Sequence, residues 1–264
     1  MDNLLEIKNL KVSFCLDNKI LAAVKGANLE IVTGQVMVLA GESGSGKTIT
    51  ALSIAKILPV NARVDDGEII FEGRDLLKMD AKSLSKIRGK EVAYIFQEPT
   101  AYLNPVYTIG NQITEAIILH QDKNRKEAAK ETLELLGRVR IQDPERVSLD
   151  YPHQLSGGMN QRALIAMALA CKPKLLIADE PTTSLDVTIE AEILKLLMEL
   201  KKELKFSLLF ITHNLSIAKK IADKVSIMYK GEIVEEGACE SIFSSPKHFH
   251  TKELINAYQK IGKI

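Results

Sequence analysis

The segment VMVLAGESGSGKT, residues 36–48, decides how the rest of the sequence is interpreted. Its five apolar residues, 36–40, predict a buried strand, and apolar residues at helical spacing resume over 48–58. Between them, residues 41–48 fit the pattern G-x-x-x-x-G-K-[ST] in the strand–loop–helix context that this pattern requires. Such a loop points backbone N–H groups inward, and the helix N-terminus adds its positive dipole end. The segment therefore predicts a loop that binds the phosphates of a nucleotide.

The side chains of this loop have distinct expected roles. We expect Lys47 to bring its charge to the β- and γ-phosphates and the Thr48 hydroxyl to ligate Mg²⁺. The remaining binding residues supply mainly backbone contacts: Gly41, Ser43, Gly44, Ser45 and Gly46. A glycine-rich turn with a surface lysine is the alternative interpretation, and the flanking strand and helix argue against it.

A second motif supplies two carboxylates. The apolar residues 175–178 predict a buried strand, and Asp179 and Glu180 follow at its carboxyl end, where α/β sheets bind their ligands. We expect Asp179 to hold Mg²⁺ through water, and Glu180 to orient or deprotonate the water that attacks the γ-phosphate. Paired acids at a strand end can be merely structural when they stand alone. Together with a phosphate-binding loop they predict a hydrolytic site.

Strands that alternate with helices predict a mainly parallel sheet covered on both faces. Residues 208–212 add another buried strand, and Lys230-Gly231 predicts a hairpin near the end. The first 35 residues, with 68–71, predict an antiparallel sheet beside the main one. Residues 109–170 are predicted to be mostly helical. In that region we expect Gly137 to cap one helix at its C-terminus and Ser156 to cap another at its N-terminus.

Composition excludes several classes of function. The 264 residues suit one large α/β domain, and 35 basic against 34 acidic residues leave a net charge of +1, which gives no bulk electrostatic case for nucleic-acid binding. The three cysteines lie far apart, so neither a disulfide framework nor a zinc site is expected, and a reducing compartment is favoured. No apolar run is long enough to cross a membrane, so other chains must do so if the protein serves one.

Residues 155–162, LSGGMNQR, resemble the LSGGxxQR signature of ABC ATPases, and the resemblance extends over about residues 4–258. It implies an ATP-hydrolysing domain that uses ATP and Mg²⁺. It also implies that Ser156, Gly157 and Gly158 meet the ATP held by a facing second ABC ATPase subunit, identical or homologous, in a head-to-tail dimer. The implied fold is α/β: a P-loop (RecA-like), mainly parallel core with an N-terminal antiparallel β subdomain and an inserted helical signature subdomain.

Other positions match the family's motifs in order. Gln97 resembles the Q-loop glutamine, which reaches Mg²⁺ and senses the γ-phosphate, and His213 resembles the switch histidine that hydrogen-bonds the γ-phosphate. Residues 184–186 resemble the D-loop, with Asp186 crossing the dimer interface. Phe14 is the candidate for stacking on adenine, although a phenylalanine in a strand can equally belong to the core. Tyr107 is a weaker alternative.

The whole chain, 1–264, is interpreted as one ABC ATPase domain. The nucleotide-binding α/β core with its β subdomain takes residues 1–100 and 171–240. The helical subdomain takes about 101–170, and a helical tail takes 241–264.

Within the family, residues 97–110 resemble the oligopeptide/dipeptide/nickel importer subfamily, and residues 181–188 agree. Residues 246–251, PKHFHT, are similar to that subfamily's P-x-H-P-Y-T. The resemblance implies transmembrane permease partners, an extracytoplasmic solute-binding protein and a peripheral place on the cytoplasmic face of the plasma membrane. Because only Cys239 lies near the end of the chain, no iron–sulfur cluster is expected. Peptide, nickel and metal chelate all remain open as solutes, with a slight preference for the last two.

The chain also departs from the family pattern. Asn160 stands where relatives often carry a basic or another polar residue, and we expect it to face away from the helix start with little effect. Phe249 and His250 alter the tail motif. A soluble ABC protein of DNA repair or translation, a P-loop kinase and an exporter ATPase are the rival functions. The short helical insert argues against a repair protein, the signature motif against a kinase, and residues 97–110 against an exporter.

Overall fold

The structure is a computed structural model that describes residues 3–16, 19–183 and 185–261. It divides into two compact units: unit 1, Met1–Leu84 with Ser207–Ile264, and unit 2, Ser85–Phe206. The predicted turn at Asp17-Asn18 and Ser184 of the predicted D-loop lie outside the described residues. The domain boundaries expected from the sequence stay a prediction.

Ten strands and eleven α-helices are assigned within the described ranges. The strands are β1 (Asn3–Leu16), β2 (Lys19–Val32), β3 (Val36–Ala40), β4 (Ala62–Phe71), β5 (Arg74–Asp75), β6 (Val92–Ile95), β7 (Leu175–Asp179), β8 (Ser207–Thr212), β9 (Lys224–Tyr229) and β10 (Glu232–Ala238). The helices are α1 (Lys47–Ile54), α2 (Ala81–Ser85), α3 (Pro99–Tyr102), α4 (Ile109–His120), α5 (Arg125–Arg138), α6 (Pro144–Leu149), α7 (Gly157–Leu169), α8 (Val187–Leu204), α9 (Leu215–Ile221), α10 (Cys239–Ser244) and α11 (Phe249–Ile261).

Unit 1 contains two sheets, as the sequence predicts. One is antiparallel with the order β2-β1-β4-β5; in the other, β10, β9, β3 and β8 lie side by side. Strand β3 pairs in parallel with β8 and with β9, whereas β9 and β10 form an antiparallel hairpin. Every residue of β3 and β8 is buried, because a parallel strand covered on both faces is apolar along its whole length. The mainly parallel α/β fold with an antiparallel β sheet is therefore confirmed.

Helix α1 is shorter than the predicted 48–58. Lys56 adopts a left-handed backbone conformation with φ 51°, and the N–H of Ile57 donates to the Leu52 carbonyl at 3.0 Å. A left-handed residue with a backward hydrogen bond ends a helix by satisfying its last carbonyls. The helix thus ends at Ile54 although apolar residues continue beyond it.

Unit 2 pairs β6 and β7 in parallel and contains the longest helices. In α8, Ile193, Leu197 and Leu200 are buried on one face, as their spacing predicts. The prediction for Gly137 is wrong: it lies inside α5, which ends at Arg138, and the left-handed residue is Arg140 with φ 61°. A glycine within a helix costs about 1 kcal/mol, and packing of the amphipathic helix tolerates that.

The three cysteines are free thiols, and burial raises the pKa of the Cys171 thiol to about 11. Across the described ranges, no helix combines the length and the apolarity that crossing a bilayer needs.

Candidate functional site

The phosphate-binding loop predicted at 41–48 is backed by parts of the chain that are distant in sequence. A Cβ atom at Gly41 would lie 2.2 Å from the Met228 carbonyl oxygen, and one at Gly46 would lie 2.7 Å from the Ala23 carbonyl oxygen. The N–H of Gly231 donates to the Ser45 carbonyl at 2.9 Å. The backbones of β2, β9 and the β9–β10 turn therefore pack closely behind the loop, and β9 leaves room only for glycine at Gly41.

Two polar side chains are buried inside this loop. Lys47 is 4% exposed, and its Nζ donates to the carbonyls of Gly41 at 3.0 Å and Glu42 at 2.8 Å. The buried Ser45 Oγ finds no hydrogen-bond partner within the described part of the chain. A buried cation and an unsatisfied hydroxyl in a backbone cradle fit an anionic ligand rich in oxygen atoms. Ser43, Gly44 and Thr48 are exposed at the rim.

The structure brings His213 next to the loop. A cavity of about 250 Å³ is lined by Gly41, Glu42, Ser43, His213, Leu215 and Leu254. His213 follows β8 directly, and the next residue, Asn214, caps α9 by accepting a hydrogen bond from the Ser216 N–H at 2.9 Å. The strand end and the capped helix hold the exposed histidine between them. Of the site residues predicted in unit 1, the loop and His213 are thus adjacent.

Phe14 belongs to unit 1 as well. It is half-buried in β1, opposite Leu21 of β2 and Ala62 of β4. That position fits a core residue and a stacking residue alike, so its role stays a prediction. Tyr107 is 52% exposed and lies in unit 2.

The two predicted carboxylates lie in unit 2. Asp179 ends β7 and is 8% exposed. Glu180 has a left-handed backbone with φ 46°, and its Oε2 accepts a hydrogen bond from the Thr183 Oγ1 at 3.0 Å. A strained backbone of this kind costs about 1–3 kcal/mol in a non-glycine residue and clusters at functional sites. The sequence carries no signal for this conformation, which sets the direction of the Glu180 side chain.

Ser156 caps α7, as predicted, by accepting a hydrogen bond from the Met159 N–H at 3.3 Å. Ser156 and Gly157 are exposed, and Gly158 is half-buried. The α7 N-terminus therefore presents backbone N–H groups to an external anion.

The expectation for Asn160 is wrong. Asn160 is 2% exposed, and its Nδ2 donates to the Pro152 carbonyl at 2.9 Å, which ties the short 3₁₀ turn Pro152–Gln154 to α7. It lies one helical turn after Ser156, and that spacing was the available signal that it lies beneath the helix start.

Asp186 and Gln97 border helices of unit 2. Asp186 is exposed and caps α8, with its Oδ1 accepting hydrogen bonds from the N–H groups of Thr188 at 3.1 Å and Ile189 at 3.0 Å. This capping role was missed, although an aspartate before an apolar helical run is a cap signal. Gln97 is exposed between β6 and α3.

The residues proposed for Mg²⁺ are oxygen donors. The Thr48 hydroxyl, the Gln97 amide oxygen and the Asp179 carboxylate are hard ligands of the type that Mg²⁺ prefers. Throughout residues 3–16, 19–183 and 185–261, no three His, Cys, Asp or Glu side chains gather into a metal-holding group. Mg²⁺ is usually bound by one or two protein carboxylates and completes its shell with phosphate oxygens and waters.

Substituting Gly41 by alanine is expected to destabilise the fold by about 1–3 kcal/mol, as overpacking does. The new Cβ would meet the Met228 carbonyl oxygen at 2.2 Å, and a backbone atom cannot yield as a flexible side chain can. Gly44→Ala is the control for backbone strain: its φ of 77° costs about 1–2 kcal/mol with alanine, but nothing lies within 4 Å of its Cβ position, so Gly41→Ala should lose more stability. Urea unfolding of both variants measures the difference. Equal loss of stability in the two would contradict the close backing of the loop.

Comparison with known proteins agrees with this geometry. The family model described as "ABC transporter" matches residues 24–183. The chain is 46% identical over 257 residues to a probable peptide ABC transporter ATP-binding protein, y4tR, of Sinorhizobium fredii, covering 97% of this chain and 77% of the relative. It is 44% identical over 268 residues to the glutathione import ATP-binding protein GsiA of Escherichia coli, covering 99% of this chain but only 43% of the relative.

Solved structures show the same fold. The dimeric, post-hydrolysis ATP-binding cassette MJ0796, bound to ADP and Pi, superposes with a TM-score of 0.80 at 28% identity, covering 89% of this chain and 98% of that one. CbiO1 of Clostridium perfringens, part of the transporter complex CbiONQ, superposes with a TM-score of 0.79 at 26% identity, covering 100% and 98%. The chain therefore belongs to the ABC transporter family, as one of its ATP-binding and ATP-hydrolysing subunits.

Proposed function

We propose that this chain hydrolyses ATP to drive the import of peptides, as half of a head-to-tail ATPase dimer attached to membrane permeases. One observation carries the proposal: residues 41–43 of the loop, whose Gly41 and Glu42 carbonyls accept hydrogen bonds from the buried Lys47, line a cavity with His213. The loop backbone and the His213 imidazole thus border a volume suited to phosphate groups, and the Lys47 cation is bound to the same loop.

In this proposal the loop residues Gly41 and Ser43 to Gly46 contact the phosphates, and Lys47 moves from the loop carbonyls to the β- and γ-phosphate oxygens. Thr48, Asp179 and Gln97 would hold Mg²⁺. Bound Mg²⁺ would neutralise part of the charge on the phosphate oxygens. Phe14 would stack on the adenine from its half-buried place in β1.

The chemical step is assigned to Glu180, which would orient the attacking water and accept its proton. The Thr183 hydroxyl donates to Glu180 Oε2 at 3.0 Å and so restrains the orientation of the carboxylate. His213 would donate a hydrogen bond to a γ-phosphate oxygen, and Gln97 would sense the same group beside Mg²⁺. Charge that develops on the phosphate is thus met by preorganised donors, which is where such sites gain most of their rate.

The second half of each site is proposed to come from another ABC ATPase, identical or homologous. Ser156, Gly157 and Gly158 would bind the ATP held by the facing subunit through the α7 N-terminus, and Asp186 would cross the interface. Two solved structures of one relative at 28% identity, MJ0796, are described as dimeric, which supports this assembly. Two ATP molecules would link the subunits, and hydrolysis would release them, so that ATP shifts a population between closed and open dimers.

The importer assignment is supported by the names of relatives. Those at 44–46% identity refer to peptide, glutathione import and oligopeptide transport. These names favour a peptide-type solute over the nickel or metal chelate that the sequence also allowed. The proposed place is the cytoplasmic face of the membrane, where permeases would hold the chain and an extracytoplasmic receptor would deliver the solute. These names do not favour the alternatives, a soluble ABC ATPase or an exporter ATPase.

Lys47→Ala is expected to weaken ATP binding about 10- to 100-fold, because hydrogen bonds to charged groups contribute about 1.5–3 kcal/mol. Titration with ATP in a calorimeter measures the affinity. Lys56→Ala is the control: this lysine is exposed, and its Nζ donates to the Leu77 carbonyl at 2.9 Å, at the far end of α1. Unchanged ATP affinity in Lys47→Ala would remove Lys47 from the site.

Two experiments test the function as a whole. The ATPase rate of the purified chain should rise faster than linearly with its concentration, because each site needs a second subunit; a linear rate would contradict the dimer. Purification with its natural neighbours should yield permeases, and the receptor that delivers solute to them should bind peptides. A receptor that binds only metal chelates would contradict the peptide assignment.

A further inference from the structure

We propose that helix α11 is a positioning element for ATP hydrolysis, in which His250 and Leu254 hold the phosphate-binding loop and the His213 segment in place. The inference rests on the proposed function of those two segments. All the residues concerned belong to unit 1.

The start of α11 is fixed to β10 by Glu235. Its Oε1 accepts a hydrogen bond from the Lys247 N–H at 2.8 Å, and its Oε2 accepts one from the His248 N–H at 2.9 Å. Burial acts to raise the pKa of Glu235, but these two N–H groups hold that pKa below its usual value. A charged carboxylate at a helix N-terminus also interacts favourably with the helix dipole. The helix is therefore anchored rather than loosely attached.

His250 connects this helix to the strand behind the loop. Its ring is 5% exposed and stacks on Tyr229, with the ring centroids 3.8 Å apart and the planes at 27°. Tyr229 ends β9 between the two residues that back the loop: the Met228 carbonyl lies against Gly41, and the Gly231 N–H donates to Ser45. A shift of His250 would therefore move the turn on which the loop rests.

Leu254 lies one helical turn after His250 and reaches the site itself. It lines the cavity of about 250 Å³ together with Gly41–Ser43 and His213. A second cavity, of about 550 Å³, is lined by residues 213–216 together with Leu254, Ala257 and Tyr258. Helix α11 thus lines both of the cavities that His213 borders. Without the Leu254 side chain both cavities widen beside His213, which leaves the imidazole more room to change its orientation.

Leu254→Ala is expected to lower kcat for ATP about 5- to 50-fold and to change KM less than about twofold, because small misplacement of a group acting on the γ-phosphate slows the chemical step. The measurement uses the full chain with Mg-ATP and its partner subunits. Ile255→Ala is the matched control: Ile255 is 3% exposed, lies on the same helix and lines neither cavity. This control should lower the melting temperature and keep kcat and KM unchanged.

Hydrogen exchange separates this inference from the proposed function. In Leu254→Ala the amides of residues 41–46 and 213–216 should exchange faster than in Ile255→Ala, whether or not the preparation hydrolyses ATP. Equal exchange in the two variants, or equal kcat, would overturn the positioning role. A wild-type chain that fails to hydrolyse Mg-ATP while the exchange difference persists would overturn the proposed function alone.

A pair of substitutions at His250 tests the route through Tyr229. His250→Ala removes the stacked ring and should accelerate exchange at 41–46, whereas His250→Phe keeps a flat ring and should restore wild-type exchange. Identical behaviour of the alanine and phenylalanine variants would contradict the stacking contact as the link.

Discussion

Glu180→Gln is expected to lower the rate of ATP hydrolysis by about 10²–10⁴-fold while ATP remains bound. The amide has nearly the shape of the carboxylate but cannot accept the proton of the attacking water. It retains a carbonyl oxygen for the Thr183 hydroxyl, so the local hydrogen bond at 3.0 Å can persist. Binding and chemistry should therefore separate cleanly in this variant.

Two measurements check this separation. Single-turnover hydrolysis gives the rate of the chemical step, and size-exclusion chromatography with ATP should show a trapped dimer, since the nucleotide that links the subunits persists. Glu199→Gln is the control, because Glu199 is an exposed carboxylate of α8 paired with Arg140 in the same unit. Hydrolysis at the wild-type rate by Glu180→Gln would remove Glu180 from the mechanism.

Ser156→Arg is expected to preserve ATP binding and to lower dimer-dependent hydrolysis by at least about 100-fold, the loss seen when a preorganised donor is removed from such a site. Ser156 is exposed at the α7 N-terminus, and a long cation there blocks the approach of the facing subunit's ATP. The lost cap also costs about 1 kcal/mol of stability.

The control for Ser156→Arg has to carry the same charge. Gln142→Arg adds one positive charge at an exposed position of the same unit and should leave hydrolysis unchanged. Calorimetry gives the ATP affinity, and sedimentation with ATP gives the dimer. A Ser156→Arg chain that still forms the ATP-dependent dimer would contradict the head-to-tail arrangement, whereas lost ATP binding would indicate that Ser156 supports its own subunit's site.

Much of the fold could be predicted because its core is parallel sheet. In β3, β7 and β8 both faces are covered, so the apolar run in the sequence coincides with the strand to within a residue. The end of α1 could not be found in this way. Apolar residues continue to Leu58, and only the left-handed conformation of Lys56 ends the helix.

The candidate site divides in the same manner. Loop 41–48 and the Asp179-Glu180 pair follow local rules, because each is a fixed motif at the end of a strand. Contacts that join distant segments carry no local signal. The Met228 carbonyl behind Gly41 is the clearest case, because the identity of residue 228 does not predict where its backbone oxygen lies.

Capping residues were predicted less well than the motifs at strand ends but better than the contacts between distant segments. Asp186 was matched to a family role across an interface, and the structure adds that it caps α8. The sequence predicts that Asn160 faces away from the helix start with little effect, whereas its amide donates to the Pro152 carbonyl beneath α7. In both, a short polar side chain bonds to the backbone nearby, and its spacing from the start of the helix is the local signal for that contact.

The strand and turn packed behind the loop have a consequence for discrimination among nucleotides. Met228 and Gly231 already hold the loop in one conformation. ATP binding therefore costs little of the conformational entropy that a flexible loop would lose. The rigidity of the loop also lowers its affinity for ligands that do not match its shape. Adenosine lacks the phosphate chain, and a rigid loop cannot rearrange to contact it. We therefore expect adenosine to bind weakly.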